Sequence, residues 1–277
     1  MLALCAADTL DCPPGVESIQ DNARRYDRQV IFEPLGLKGQ QALRAGRALI
    51  VGVGGLGSWT AELLARAGVG KLRLVDDDKV DWTNLHRQTM YDEDDARAMR
   101  PKAQAAAEHL ARINSSVSVE PIVERLTARN IADLAKDANV ICDGTDNFAA
   151  RFVINDYSVK FAVPWIFAGV VGAEAQIMSI VPGRGACLRC IFDAPPPPCM
   201  APTCRGSGVL GPAVASVAAM QAAEAMKILA GRGDAVSGYL TKLDLWTNTV
   251  QRIDAASACK NVKCPCCKGR DFEFLEA

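Results

Sequence analysis

Short runs of branched apolar residues alternate with longer Ala- and Leu-rich stretches from residue 47 to residue 169, and beyond that point the pattern changes. Residues 47–53 (RALIVGV) predict a buried strand. The glycine-rich GVGGLG follows, then a helix over 59–67 that Gly68 and Gly70 stop. A second strand at 72–75 runs into Asp76-Asp77-Asp78, and Pro101 opens a helix that reaches about residue 113. A strand at 117–123, a short helix at 131–136, a strand at 139–142, a helix at 148–161 and a strand at 164–167 complete the alternation. The pattern predicts an α/β fold: a Rossmann-type, mostly parallel sheet with helices on both faces. After Gly169 the segments 175–181, 239–245 and 250–253 read as antiparallel strands, with one long helix between them.

That helix is the longest apolar stretch, 209–230, but it carries Gln221, Glu224 and Lys227. Each charge would cost about 2.5–3.5 kcal/mol at the centre of a bilayer, so the stretch reads as a buried or interface helix and not as a membrane span. Residues 193–208, with prolines at 195–198, and the cysteine-rich tail from Cys259 read as irregular. The expected organisation is a flexible N-terminal extension (1–23) and a single domain (24–277). Within that domain, 24–169 is the nucleotide-binding part and 170–277 the strand and cysteine-rich part.

Composition changes this picture little. The 277 residues are 49% apolar and 23% charged, with a formal net charge of −1 that gives no electrostatic case for a nucleic-acid partner. The apolar start, MLALCAA, is interrupted by Asp8 and Asp11 and is too short for a secretory signal, so the expected compartment is the cytoplasm and no membrane partner is expected. There the 11 cysteines are thiols or metal ligands in preference to disulfides.

Gly52, Gly54 and Gly57, with Gly55 between them, lie between a strand and a helix, and Asp76 ends the next strand. The glycines let backbone approach a phosphate, the helix N-terminus supplies N–H donors, and Asp76 suits ribose hydroxyls. Taken alone this suggests a dinucleotide such as NAD. The following residues argue for a nucleoside triphosphate: Asp78, then Asn84-Leu85-His86-Arg87-Gln88, then Pro101-Lys102, then Asp143-Gly144-Thr145-Asp146-Asn147. Two cations, Arg87 and Lys102, would neutralise phosphate charge, and the carboxylate of Asp146 would hold magnesium. Two C-x-x-C pairs, Cys187/Cys190 and Cys264/Cys267, offer four thiolates for tetrahedral zinc, with Cys266 a rival ligand and unrelated redox pairs the alternative. His86 and His109 are the only histidines, and neither is a candidate general base.

These motifs resemble the ThiF/MoeB/HesA family, relatives of the ubiquitin-activating enzymes. The matching stretches are RYDRQ (25–29), GVGGLG, LVDDDKVDWTNLHRQ, RPK, DGTDN, CLRC, PTCRGSGVLGP and CPCC with DFEFL. The resemblance implies adenylation by ATP of the C-terminal Gly-Gly carboxylate of a ubiquitin-like sulfur carrier, with release of pyrophosphate. It implies that Gly55 lines the phosphate loop, Asp76 takes the ribose, and Asn84, Arg87 and Lys102 contact the phosphates. Asp146 holds magnesium or aligns the nucleotide, and Asp78, Gln88, Thr145 and Asn147 lie in the same binding stretches. It further implies one structural zinc, a homodimer in which Arg28 reaches the partner subunit's site, and a separate sulfur-donor protein. Cys204 matches a cysteine that links covalently to the carrier or is a bystander, and Arg205 would lower its pKa. One departure is that the family usually has glycine shortly before Pro-Lys, where this chain has Ala98-Met99-Arg100. The rival functions are adenylation of a peptide, a tRNA base or a small molecule, an NAD-dependent oxidoreductase, or an inactive binding protein.

Overall fold

The run at 47–53 forms a strand, β1 (Arg47–Val51), buried at four of its five positions and central to an eight-stranded sheet. This is a computed structural model, and it describes residues 24–195 and 207–276. β2 (Lys71–Val75) and β3 (Ser118–Ile122) lie on one side of β1, and β4 (Val140–Asp143) and β5 (Trp165–Val171) on the other, all parallel. β6 (Glu174–Ile180), β7 (Tyr239–Asp244) and β8 (Thr249–Asp254) continue the same sheet as antiparallel strands. The order 3-2-1-4-5 reverses direction between β1 and β4. In such sheets the ligand crevice opens at the carboxyl ends of the strands at that switch point.

Helices cover both faces. α1 (Asp27–Val30) and α2 (Gly36–Ala45) precede β1, α3 (Gly55–Arg66) follows it, α4 (Glu93–Arg97) and α5 (Lys102–Ile113) follow β2, and α6 (Ile131–Leu134) and α7 (Phe148–Phe161) flank β4. α8 (Gly211–Leu229) lies between β6 and β7, and α9 (Ala255–Asn261) follows β8. One core layer is built by Leu43, Leu56, Leu64, Ala106, Val217 and Ala225 against Ile50 and Ile166; the other by Ile131, Phe152 and Ile154 against Leu49, Ile141 and Phe167. Among the described residues no helix is long and apolar enough to cross a membrane. Gln221 and Glu224, the polar residues inside α8, are buried and partnered.

Besides the one-turn α1, three helices have no counterpart in the sequence reading. α2 (GLKGQQALRA) contains two glycines, which weigh against a helix, yet Leu43 is fully buried and holds it. α4 is too short for periodicity to register; it stands on a reciprocal capping box between Asp92 and Asp95. α9 replaces the irregular start expected for the tail: Asp254 accepts from Ala256 and Ser257 N–H, and Lys268 Nζ donates to the carbonyls of Cys259, Lys260 and Val262.

The departure at Ala98-Met99-Arg100 has a structural meaning. Arg100 N–H donates to Asp95 O at 3.1 Å and Met99 N–H to Ala96 O at 3.2 Å, the two bonds of a Schellman turn ending α4. Met99 occupies the left-handed position of that turn, φ 47°, and its side chain is 62% exposed. Glycine fits this conformation without a Cβ penalty. Met99→Gly is therefore expected to stabilise the fold by about 0.5–1 kcal/mol, read as a raised denaturant midpoint at unchanged slope.

Candidate functional site

The glycine loop and the DGTDN turn are in backbone contact. Gly52 N–H donates to Val75 O at 2.8 Å and Gly144 N–H to Val51 O at 2.7 Å, tying the carboxyl ends of β1, β2 and β4 together. A Cβ on Gly52 (φ 81°) would lie 2.7 Å from Gly144 O, one on Gly144 would lie 2.2 Å from Gly52 O, and one on Gly57 only 1.8 Å from Gly52 O. No side chain fits at these positions, so glycine is required by close packing as much as by approach to a ligand. Gly54 caps α3 and Gly55 begins it, presenting the positive end of a 12-residue helix to the crevice.

Asp76 holds the loop. Its Oδ2 accepts from Val53 N–H at 2.6 Å and its Oδ1 from Asp78 N–H at 2.8 Å. Burial pushes the Asp76 carboxyl up from its ordinary value, against the opposing pull of Lys102 and the two amides. Lys102 is buried, and its Nζ lies 3.0 Å from Asp78 Oδ2. Backbone bonds Lys102 N to Asp78 O and Val80 N to Arg100 O, both 2.9 Å, set its direction of approach. Tyr91 was missed by the sequence reading: its buried hydroxyl donates to Val53 O at 2.7 Å, and burial pushes its pKa well above the usual phenol range, so it stays a neutral donor.

Asn84 ends a short 3-10 turn (Trp82–Asn84), in which Asp81 and Asn84 cap each other. Arg87 donates to Thr83 O at 2.7 Å, and its own carbonyl accepts from Trp59 on α3 at 3.2 Å, which seats the Asn84–Gln88 segment beside the glycine loop. Gln88 is buried, and its Oε1 is an acceptor with no partner among the described residues.

The DGTDN turn divides its labour. Asp143 is fully buried, accepting from Thr145 N–H (2.9 Å), Thr145 Oγ1 (2.7 Å) and Arg151 Nε (2.9 Å). Asn147 caps α7 by accepting from Ala150 N–H. Thr145 and Asn147 thus build the turn. Asp146 is exposed and, among the described residues, has no hydrogen bond or ion pair. RYDRQ divides likewise: the Tyr26 hydroxyl accepts from Asn114 at 2.8 Å and Gln29 donates to Ala67 O at 2.9 Å, anchoring the segment, while Arg28 is exposed.

The cysteine pairs converge. Cys187 Sγ lies 3.9 Å from Cys190 Sγ and 3.5 Å from Cys264 Sγ, and Cys190 Sγ lies 3.5 Å from Cys267 Sγ. All four sulfurs fall within 4.8 Å of one another. A tetrahedral zinc with Zn–S bonds of about 2.3 Å separates its sulfurs by roughly 3.8 Å, so the donor set fits. Neighbouring thiols donate to Cys187 and push its pKa down; the same contacts push Cys190 up and Cys267 up to about 12. Cys266 is fully buried but outside this group, accepting from Asn155 Nδ2 at 3.4 Å. Asn155 Oδ1 also accepts from Leu188 N–H at 2.8 Å, and buried Arg189 bonds Asp156 and Glu273, so the knuckle and tail are fastened to α7. Cys204 and Arg205 lie outside the described residues.

A glycine loop at the switch point of a doubly wound sheet, fused to an acidic turn and flanked by a buried lysine, defines a nucleotide-binding α/β protein with an added four-cysteine centre. The chain belongs to the ThiF family, whose model matches residues 26–266. It is 43% identical over 251 residues to a Bacillus subtilis protein named sulfur carrier protein ThiS adenylyltransferase, covering 91% of this chain and 73% of that one. It is 37% identical over 252 residues to the SAMP-activating enzyme E1 of Haloferax volcanii, covering 91% of each. The fold is shared with Escherichia coli MccB, solved with ATP (TM-score 0.74, 22% identity, 88% of this chain and 74% of that one).

Proposed function

We propose that this chain is an ATP-dependent adenylyltransferase acting on the C-terminal glycine carboxylate of a ubiquitin-like sulfur carrier protein. The observation that carries this reading is Asp146, left exposed and unpartnered on a turn that every other side chain helps to build, in direct contact with the glycine loop. Membership of a family whose relatives are named sulfur carrier adenylyltransferases supports the choice of substrate.

The chemistry follows from charge. The carrier's carboxylate is already ionised and needs no general base. One of its oxygens forms a bond to the α-phosphorus of ATP, the bond from that phosphorus to the bridging oxygen breaks, and pyrophosphate leaves with the electron pair. Arg87 and Lys102 would offset the charge on the phosphates, with Lys102 exchanging its contact with Asp78 for the nucleotide. Asp146 would hold magnesium, which screens the leaving group when bound. Sulfur from a separate donor protein would then attack the acyl carbon, the bond from that carbon to the phosphate oxygen would break and AMP would leave, with Cys204 as the candidate thiol on this chain, in a cytoplasmic setting that keeps thiols reduced. The four clustered cysteines would hold one zinc in a structural role, since four sulfurs complete a tetrahedron and leave no open position.

Carrier-dependent exchange of labelled pyrophosphate into ATP tests the reaction. Exchange that needs the carrier and magnesium is the expected result; NAD(H) binding without exchange would favour an oxidoreductase instead.

The same reading includes a homodimer with shared sites, because Tyr26 and Gln29 hold the exposed Arg28 at the surface. A two-fold interface would let each subunit lend its arginine to the other. Arg28→Ala and Asp146→Ala chains, each nearly inactive alone, are expected to regain about half of one intact site per dimer when mixed. No recovery after confirmed subunit exchange would rule out the shared site.

A further inference from the structure

The ladder between β4 and β5 is short: it registers Ile141 with Trp165 and Cys142 with Ile166, and then stops. Beyond it the strands are joined by side chains from opposite faces of the sheet. From α7, Arg151 Nη2 donates to Thr145 O at 2.7 Å and to Ala168 O at 3.0 Å. From α8, Gln221 Nε2 donates to Asp143 O and to Ile166 O, both at 2.9 Å. The other end of the same amide, Gln221 Oε1, accepts from Thr60 Oγ1 of α3 at 2.7 Å.

Gln221 is fully buried, as is Thr60, and both amide hydrogens and the amide oxygen are used. One side chain therefore links the helix that starts at the glycine loop to the strand end that starts the DGTDN turn. Its contact on the turn is the carbonyl of Asp143, three residues before Asp146. An apolar residue would pack inside α8 equally well. It would remove the amide donor from two backbone carbonyls and the acceptor from the fully buried Thr60 hydroxyl, and a buried polar group stripped of a partner costs more than the bond itself was worth.

We propose that Gln221 is a positioning residue of the nucleotide site: it sets the distance between the glycine loop and the DGTDN turn and so places Asp146 for its metal. The inference rests on the adenylation reading, in which Asp146 holds magnesium. It acts through Asp143 O and through Thr60, and touches no substrate itself. Its loss alters the alignment of the turn more than the binding of ATP, because Asp76, Gly52 and Gly57 form the other wall without it.

The test uses the full-length protein carrying Gln221→Met, which keeps the side-chain length but none of the three bonds, and Thr60→Val, which removes one of them. Pyrophosphate exchange is measured against ATP and against magnesium, beside thermal unfolding. For Gln221→Met the expected result is a kcat lower by about 10–50-fold, a KM for ATP within about threefold of the parent, and a magnesium midpoint raised by about tenfold with partial recovery of rate in excess magnesium. Thr60→Val is expected to move kcat and the magnesium midpoint the same way by a smaller factor. A purely structural role lowers the unfolding midpoint and the yield of active protein but leaves the magnesium midpoint where it was. Unchanged magnesium dependence in a folded Gln221→Met protein would overturn the proposal. If that variant does not fold, unchanged dependence in Thr60→Val overturns it. Absence of exchange in the parent protein would instead overturn the adenylation reading on which it rests.

Discussion

Asp146→Ala is expected to lower pyrophosphate exchange by about a thousandfold or more, equivalent to about 4 kcal/mol of transition-state stabilisation, while the fold is unaffected. Both halves of this expectation come from the same geometry. Asp143, Thr145, Asn147 and Arg151 form the turn by bonding one another and the neighbouring backbone. Asp146 contributes none of those bonds and is exposed. Removing it therefore changes stability by no more than about 0.5 kcal/mol, as at an ordinary surface position. Measuring exchange and the denaturant midpoint on one preparation checks the claim. A variant that keeps more than a tenth of the exchange rate would remove Asp146 from the reaction, and one that unfolds would show that the turn depends on it.

The second large effect is expected at the cysteine cluster. Cys264→Ser should abolish the zinc binding proposed above and destabilise the tail by several kcal/mol, because the free energy of metal binding is partly that of folding. Cys264 is 1% exposed, and its sulfur sits 3.5 Å from Cys187. The segment it anchors also meets α7 through Arg189, Asp156 and Phe274 N–H, so loss of the metal loosens the tail without abolishing those contacts. Elemental analysis with limited proteolysis is the measurement: about one zinc per chain in the parent, little in Cys264→Ser, and faster cleavage beyond residue 255 in that variant. Cys266→Ser is the control, because Cys266, although bonded by Asn155 and in contact with Cys187, lies outside the four-sulfur group. It should retain zinc. Loss of zinc in Cys266→Ser with retention in Cys264→Ser would reverse the ligand assignment.

Motifs whose residues act within a few positions of one another were legible in the sequence. The glycine loop, the strand before it and the helix after it follow from local spacing, as do the two cysteine pairs. What spacing could not show was the division of work inside each motif. Nothing in RYDRQ separates Tyr26 and Gln29, which anchor the segment, from Arg28, which stays exposed; that depends on Asn114 and Ala67. Spacing paired Cys264 with Cys267 but left Cys266 as a rival ligand, since the final choice depends on which way each sulfur points once the knuckle is seated on α7. Gln221 looked like a polar interruption of an apolar helix. Its partners, Thr60, Asp143 and Ile166, are between 55 and 161 residues away, beyond any local pattern. The missed helices have the converse cause: α4 and α9 are set by caps, not by periodicity. The contact between buried Lys102 and exposed Asp78 was equally hidden, because both residues belong to motifs that suggest a ligand and not each other.

The central claim is that this chain joins AMP to the C-terminal carboxylate of a sulfur carrier. The most direct measurement is the intact mass of a ThiS-type carrier ending in Gly-Gly after incubation with the protein, ATP and magnesium, with the same carrier lacking its last glycine as the comparison. The account predicts a carrier species heavier by one AMP residue, formed only by the full-length carrier, absent without magnesium and lost on adding pyrophosphate. ATP consumed with the carrier mass unchanged, or equal adenylation of the truncated carrier, would contradict it.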